Sequence, residues 1–203
     1  MKSTHQQIIE RINKYDRGTI FFPEQLEYLG SSESVRQSLS RICREGTIIR
    51  LSKGIYLFPI IDKELGVMYP SADKVAKAIS ERDKSRIIPT GIFALNSLGL
   101  STQVPMKIVY LTDGIPRKIK IGNQTITFKQ TAPKNFAFTG KRTALIVSAL
   151  KEIGKENVKE SDLSKIKSIL LQENKDVVLA DAYLAPRWIT DIILSLIKST
   201  ENE

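Results

Sequence analysis

The residues best suited to chemistry lie between Ser31 and Lys53, and that chemistry is hydrogen bonding rather than bond making. Arg36, Gln37, Ser40, Arg41 and Arg44 recur at i, i+1, i+4, i+5 and i+8, which gathers them on one face of a helix. Three guanidinium groups, a carboxamide and a hydroxyl, with no acid among them, can bond base edges in a major groove and the phosphates beside it. Ser32 and Ser34 stand at the start of that helix, where hydroxyls and free backbone N–H groups can hold a phosphate. Arg50 and Lys53 place further charge next to Gly54, in a stretch that reads as a tight hairpin. An arginine-rich face that is merely solvated is the competing reading, because surface charge is common.

The elements around these residues follow from local signals. Residues 4–15 read as a helix capped by Thr4, with Ile8, Ile9 and Ile12 as its apolar stripe. Thr19-Ile20-Phe21-Phe22 reads as a short strand, and Pro23 opens a second helix that ends at Gly30 with Leu26 and Leu29 inward. Ser31 or Ser32 caps the third helix, whose buried face is Val35, Leu39, Ile42 and Cys43, and Gly46 ends it. Residues 47–51 and 55–58 are the strands of a hairpin. Helix, short strand, helix, helix, β-hairpin is the order of a winged helix-turn-helix, placed here at residues 1–58. Cys43 is expected as core filler and His5 as a solvated residue of a frayed terminus.

The run Gly18-Thr19-Ile20-Phe21-Phe22-Pro23, then Leu29-Gly30-Ser31, Val35-Arg36-Gln37-Ser38-Leu39-Ser40-Arg41, Glu45 to Leu51 and Gly54 to Pro59 resembles the amino-terminal domain of the AbiEi-type antitoxins and their DUF6088 relatives. Pro89-Thr90-Gly91 and Ala94 to Pro105 resemble the start of that group's second domain. The resemblance implies an antitoxin of a bacterial type IV toxin–antitoxin system. Such a protein represses its own operon through the winged helix and counters a nucleotidyltransferase-like toxin, without a stable complex being required. Its partner would be double-stranded operator DNA, expected to carry inverted repeats. Relatives without a neighbouring toxin imply the alternative of a standalone regulator whose second domain senses a ligand or partner.

Charge is unevenly spread. The chain carries +9 overall, but residues 1–58 hold nine Lys/Arg against six Asp/Glu, while residues 84–142 hold ten against the single acid Asp113. The excess therefore falls in a second, mixed α/β domain, expected over 71–203 after a linker at 59–70. Its elements are a helix carrying Val75, Ala76, Ala78 and Ile79, a strand at 86–88, a helix capped by Thr90, strands at 107–112, 117–121 and 125–130, and helices near 141–153, 161–173 and 186–198. The fold class expected is α+β, with a small sheet and carboxy-terminal helices. Lys118 and Lys120 alternate with Ile119 and Ile121, so both lysines share a strand face; Arg117 lies beside them and Lys129 in the next strand. This second basic patch is read either as a contact surface for nucleic acid or an acidic protein, or as lysines guarding an edge strand.

Other functions are disfavoured by what the residues lack. One cysteine and one histidine leave no cysteine zinc cluster, internal disulfide or histidine-based pocket. There is no Walker A loop, GxGxxG, HExxH, GxSxG or CxxC, so no cofactor and no catalytic residue is expected. Glu173-Asn174-Lys175 with Asp162 or Asp176 has only loosely the composition of a metal-dependent nuclease, which is the third reading. The stripe Trp188, Ile189, Ile192, Ile193, Leu196 and Ile197 reads as core. Without a signal-type or membrane-spanning run, the expected location is the cytoplasm.

Overall fold

The computed structural model describes residues 2–201, with side chains from 2 to 199. It is α+β. The chain divides into two compact units, Met1–Ile79 with Ile119–Asn123, and Ser80–Lys118 with Gln124–Glu203.

The first unit opens with α1 (Thr4–Ile12), whose cap is Ser3 rather than Thr4. The Ser3 hydroxyl accepts from the Gln6 N–H while the Gln6 side chain accepts from the Ser3 N–H, a reciprocal capping box. Thr4 is then free to pack on Gly30, where an added Cβ would stand 2.7 Å from its methyl. The terminus is therefore pinned, and His5 is half-buried within α1 with its Nδ1 enclosed and unbonded, not solvated. β1 (Thr19–Phe21) follows. The expected second helix is a 3-10 helix, Pro23–Leu29. Only six residues lie between Pro23 and Gly30, and the Phe22 N–H is taken by the Gln25 side chain.

α2 (Ser32–Arg44) is capped by Ser31, whose hydroxyl accepts from the Ser34 N–H. Its buried face is Val35, Ser38, Leu39 and Ile42; Cys43 is only half-buried and packs on the rim of the core. β2 (Ile49–Ser52) and β3 (Ile55–Phe58) form the wing, joined through Gly54 at φ +72°, and β3 is flanked by β1 on its other side. Ile8, Ile12, Leu26, Val35, Leu39, Ile42 and Ile48 make the core against Phe21 and Phe58. That core fixes which side of α2 faces outward.

The stretch expected as a linker is a second hairpin, β4 (Ile60–Asp62) with β5 (Gly66–Met68). The Asp62 carboxylate accepts from the Glu64 and Leu65 N–H groups at 2.8 Å each and so closes the turn. α3 (Ala72–Asp83) buries Ala72, Val75, Ala76 and Ile79, with Ala78 half-buried.

The sheet beyond it comprises β6 (Ile87–Thr90), β7 (Lys107–Thr112), β8 (Arg117–Ile121) and β9 (Gln124–Gln130), in the order β6-β7-β9-β8. β6 is antiparallel to β7, and β7 is parallel to β9. Between β6 and β7 runs α4 (Ile92–Ser97). Thr90 does not cap it: its hydroxyl donates to the Val109 carbonyl within the sheet, and Gly91 at φ +62° makes the corner. α5 (Lys141–Ile153), α6 (Glu160–Leu170), α7 (Lys175–Ala182) and α8 (Arg187–Glu201) close the chain around a core that includes Ile146, Leu150, Ile166, Ile189 and Ile193. Trp188, Ile192, Leu196 and Ile197 pack against that core, so the α8 stripe is structural. α6 ends at Leu170, short of the expected residue 173, and α7 is an additional helix that the sequence reading does not include; Asn174 caps it by accepting from the Asp176 and Val177 N–H groups.

Candidate nucleic-acid interface

With Val35, Leu39 and Ile42 turned into the core, the helical repeat turns Arg36, Gln37, Ser40, Arg41 and Arg44 to solvent, and all five are exposed. Three cations on one helix face, free of ion pairs among the described residues, leave their donors available to an anion. The face is not free of acid, however. Glu33 in the first turn accepts from the Gln37 carboxamide at 3.0 Å, so Gln37 is held by its own helix. The serines at the helix start are engaged too. Ser32 donates to Glu27 at 2.8 Å, and the Ser31 hydroxyl donates to that of Ser34 at 3.0 Å. Ser34 is half-buried and Ser32 exposed.

The wing supplies the second part of the surface. Arg50 and Lys53 are exposed, and the register sets Arg50 opposite Tyr56. The strand slips between Arg50 and Ser52, and the Arg50 guanidinium reaches the Ser52 carbonyl at 3.3 Å. Burial raises the Tyr56 phenol above its ordinary value, while the positive charges of Arg50 and of Arg36 oppose that rise. Arg36 lies on α2 and Arg50 on β2, so one phenol feels both. Burial likewise raises the Cys43 thiol, again opposed by Arg50. The α2 face and the wing thus each present exposed cations, Arg36, Arg41 and Arg44 on the helix and Arg50 and Lys53 on the hairpin.

In the second basic patch the burial alternates along β8 as expected: Lys118 and Lys120 are exposed and Ile119 and Ile121 are buried. Lys129 is exposed on β9. Arg117 departs from the expected set. Its side chain is only 19% exposed and is ion-paired with Asp83, which also binds Arg82. Lys120 belongs to the first unit and Arg117, Lys118 and Lys129 to the second.

The family model described as "Family of unknown function (DUF6088)" matches residues 7–178. The chain belongs to that family. A comparison with curated proteins finds no match.

The carboxylates of this DUF6088 chain that the sequence sets near a nuclease composition serve helix ends. Glu173 accepts from the Thr143 N–H at 2.9 Å and hydroxyl at 2.7 Å, and from the Arg142 N–H at 3.3 Å, at the start of α5. Asp162 accepts from the Lys159 N–H ahead of α6. Asp176 lies in the first turn of α7. Among the described residues no three His, Cys, Asp or Glu are grouped so as to hold a metal ion, and no helix is long and apolar enough to cross a membrane. A carboxylate that sequence reasoning passed over is Asp181. It is buried and accepts from the Thr139 and Gly140 N–H groups at 3.0 and 2.7 Å, beside the Glu173 cap.

Proposed function

We propose that the first unit binds double-stranded DNA, with α2 in the major groove and the wing on the adjacent backbone. The observation that carries this is the outward face of α2, where Arg36, Arg41 and Arg44 are exposed and free of ion pairs among the described residues, with Arg50 and Lys53 exposed on the wing. Arg36, Gln37 and Arg41 then read bases. Arg44, Arg50, Lys53, Ser32 and Ser34 hold phosphates. The Glu33 contact to Gln37 is exchanged for a base edge on binding.

On the strength of the resemblance to the AbiEi-type antitoxins, we assign the chain the role of a non-enzymatic transcriptional autorepressor and antitoxin. It would bind inverted repeats in its own operator and counter a nucleotidyltransferase-like toxin. A standalone regulator with a sensing second domain is the second reading, favoured by an open cleft in the second unit.

Affinity for the chain's own upstream DNA tests the first claim. Arg36→Ala or Arg41→Ala should narrow the gap between operator and random DNA by about 1–3 kcal/mol. Arg44→Ala, Arg50→Ala or Lys53→Ala should weaken both DNAs alike and lower the salt slope by about one each. Unchanged operator affinity in both arginine variants of α2 would remove that helix from the interface. Growth rescue on co-expression with an adjacent nucleotidyltransferase separates the antitoxin role from the standalone one.

A further inference from the structure

A cleft of about 450 Å³ opens in the second unit between the sheet and α5, a size within the range of small-molecule sites. β7 lays Lys107, Val109 and Leu111 along it, the alternate positions that share a strand face. The register sets Thr90 of β6 beside Val109 and Lys129 of β9 beside Leu111. α5 contributes Ser148, Lys151 and Glu152. Three lysines from three elements thus meet one carboxylate, leaving the lining two charges positive. None of the three has an ion-pair partner among the described residues.

The two ends of the cleft differ. A smaller recess shares Leu111, Ser148 and Lys151 with it, and Lys129 is the register partner of Leu111. Two ammonium groups and a hydroxyl therefore gather at that end. Toward the other end, the Glu152 carboxylate lies 3.6 Å from where a Cβ on Gly91 would stand, beside Ile92. Gly91 has φ +62°, so its backbone favours glycine, and the carboxylate stands at ordinary contact distance in front of it. The lining is thus cationic at one end, apolar along Val109 and Ile92, and carries a carboxylate at the other.

We propose that this cleft binds a free nucleoside monophosphate. The phosphate sits on Lys129, Lys151 and the Ser148 hydroxyl, and the base lies toward Val109, Ile92 and Glu152. Lys107 adds to the positive rim. The site uses the second unit alone, so it stands or falls separately from DNA binding.

Calorimetric titration of the full chain with AMP, GMP, CMP and UMP tests this, with the parent nucleosides and inorganic phosphate alongside. At least one monophosphate should bind one to one, about tenfold or more tighter than its nucleoside and than inorganic phosphate. Lys129→Ala and Lys151→Ala should each weaken it by about tenfold, Lys129→Arg should retain it, and Glu152→Gln should change the preference among bases. Lys167→Ala, outside the cleft, should leave it unchanged. Lys129, Lys151 and Glu152 are exposed, Lys167 is half-buried and Ser148 is left intact; circular dichroism checks the fold of each variant. The proposal is overturned if no mononucleotide saturates the chain, or if inorganic phosphate binds as well as a mononucleotide. It is equally overturned if Lys167→Ala costs as much as Lys129→Ala, or if only a 5′-phosphorylated oligonucleotide binds.

Discussion

The Gln37 carboxamide donates to the Glu33 carboxylate one helical turn earlier, at 3.0 Å, on the face of α2 that is turned to solvent. An exposed i, i+4 pair of this kind contributes only about 0.2–0.5 kcal/mol to the helix, so it is easily given up. With α2 in the major groove as proposed, its effect on DNA is larger than its effect on the fold, because a carboxylate among the outward side chains repels phosphate. Glu33→Gln should therefore raise affinity for random and operator DNA at low salt while leaving the melting temperature nearly unchanged. Fluorescence anisotropy at two salt concentrations reads this. Weaker binding to operator alone would mean instead that Glu33 itself accepts from a base.

Arg117 and its neighbours on β8 separate into two roles. Arg117 is ion-paired with Asp83 and mostly covered, whereas Lys118 and Lys120 are exposed. Replacing Arg117 with glutamate sets two carboxylates against each other and should destabilise the chain by about 3 kcal/mol or more. The double change Lys118→Glu and Lys120→Glu should leave thermal stability within about 0.5 kcal/mol of the parent. Only that double variant is a fair probe of the patch. Changed operator affinity or toxin neutralisation would make it a contact surface, and no change in either would make the lysines guards of the strand.

Much of this organisation is legible in the residues. The α2 cap, the Gly54 turn and the alternation of Lys118–Ile121 each rest on neighbours a few positions apart, and each appears where local rules put it. What escapes is set by distant partners. Thr90 has the chemistry of a helix cap, but the Val109 carbonyl, nineteen residues on, takes its hydroxyl. Arg117 looks like one of a lysine-rich set until Asp83, thirty-four residues away, pairs with it. The hairpin at 60–68 depends on the Asp62 carboxylate finding two backbone N–H groups, in a stretch whose prolines suggest a linker. On α2 the residue spacing predicts which side chains are exposed, but not the bond from Gln37 to Glu33. The lysines of the cleft come from β7, β9 and α5, and only the parallel pairing of β7 with β9 brings two of them to one face.

Asp181 and Glu173 act together at the start of α5. Asp181 is 1% exposed and takes two backbone N–H groups; Glu173 takes two more and the Thr143 hydroxyl. These donors have no intrahelical acceptor, because the first turn of a helix leaves its N–H groups unpaired. Asp181→Ala should strand two buried donors at a cost of about 1–3 kcal/mol. Glu173→Ala should cost less, since Arg142 is exposed and water can replace the acceptor there. Denaturant titration of the two variants gives the order. Equal and negligible losses would show that the α5 start does not depend on these carboxylates.

The Cys43 thiol offers a test of the wing without DNA. Burial raises its pKa and the Arg50 charge lowers it, with burial the larger effect. Below the unfolded-chain value both states keep the proton, and the stability due to this group is fully present. As pH rises past that value the unfolded chain ionises first, so stability is lost as pH climbs toward the higher folded value. Reaction needs the thiolate, and iodoacetamide at pH 8 should therefore modify native Cys43 more slowly than the unfolded chain. Arg50→Ala removes the opposing charge and should move the native pH–rate profile further up, whereas Lys167→Ala, on the second unit, should not. A profile that ignores Arg50 would show that its guanidinium does not act on the thiol.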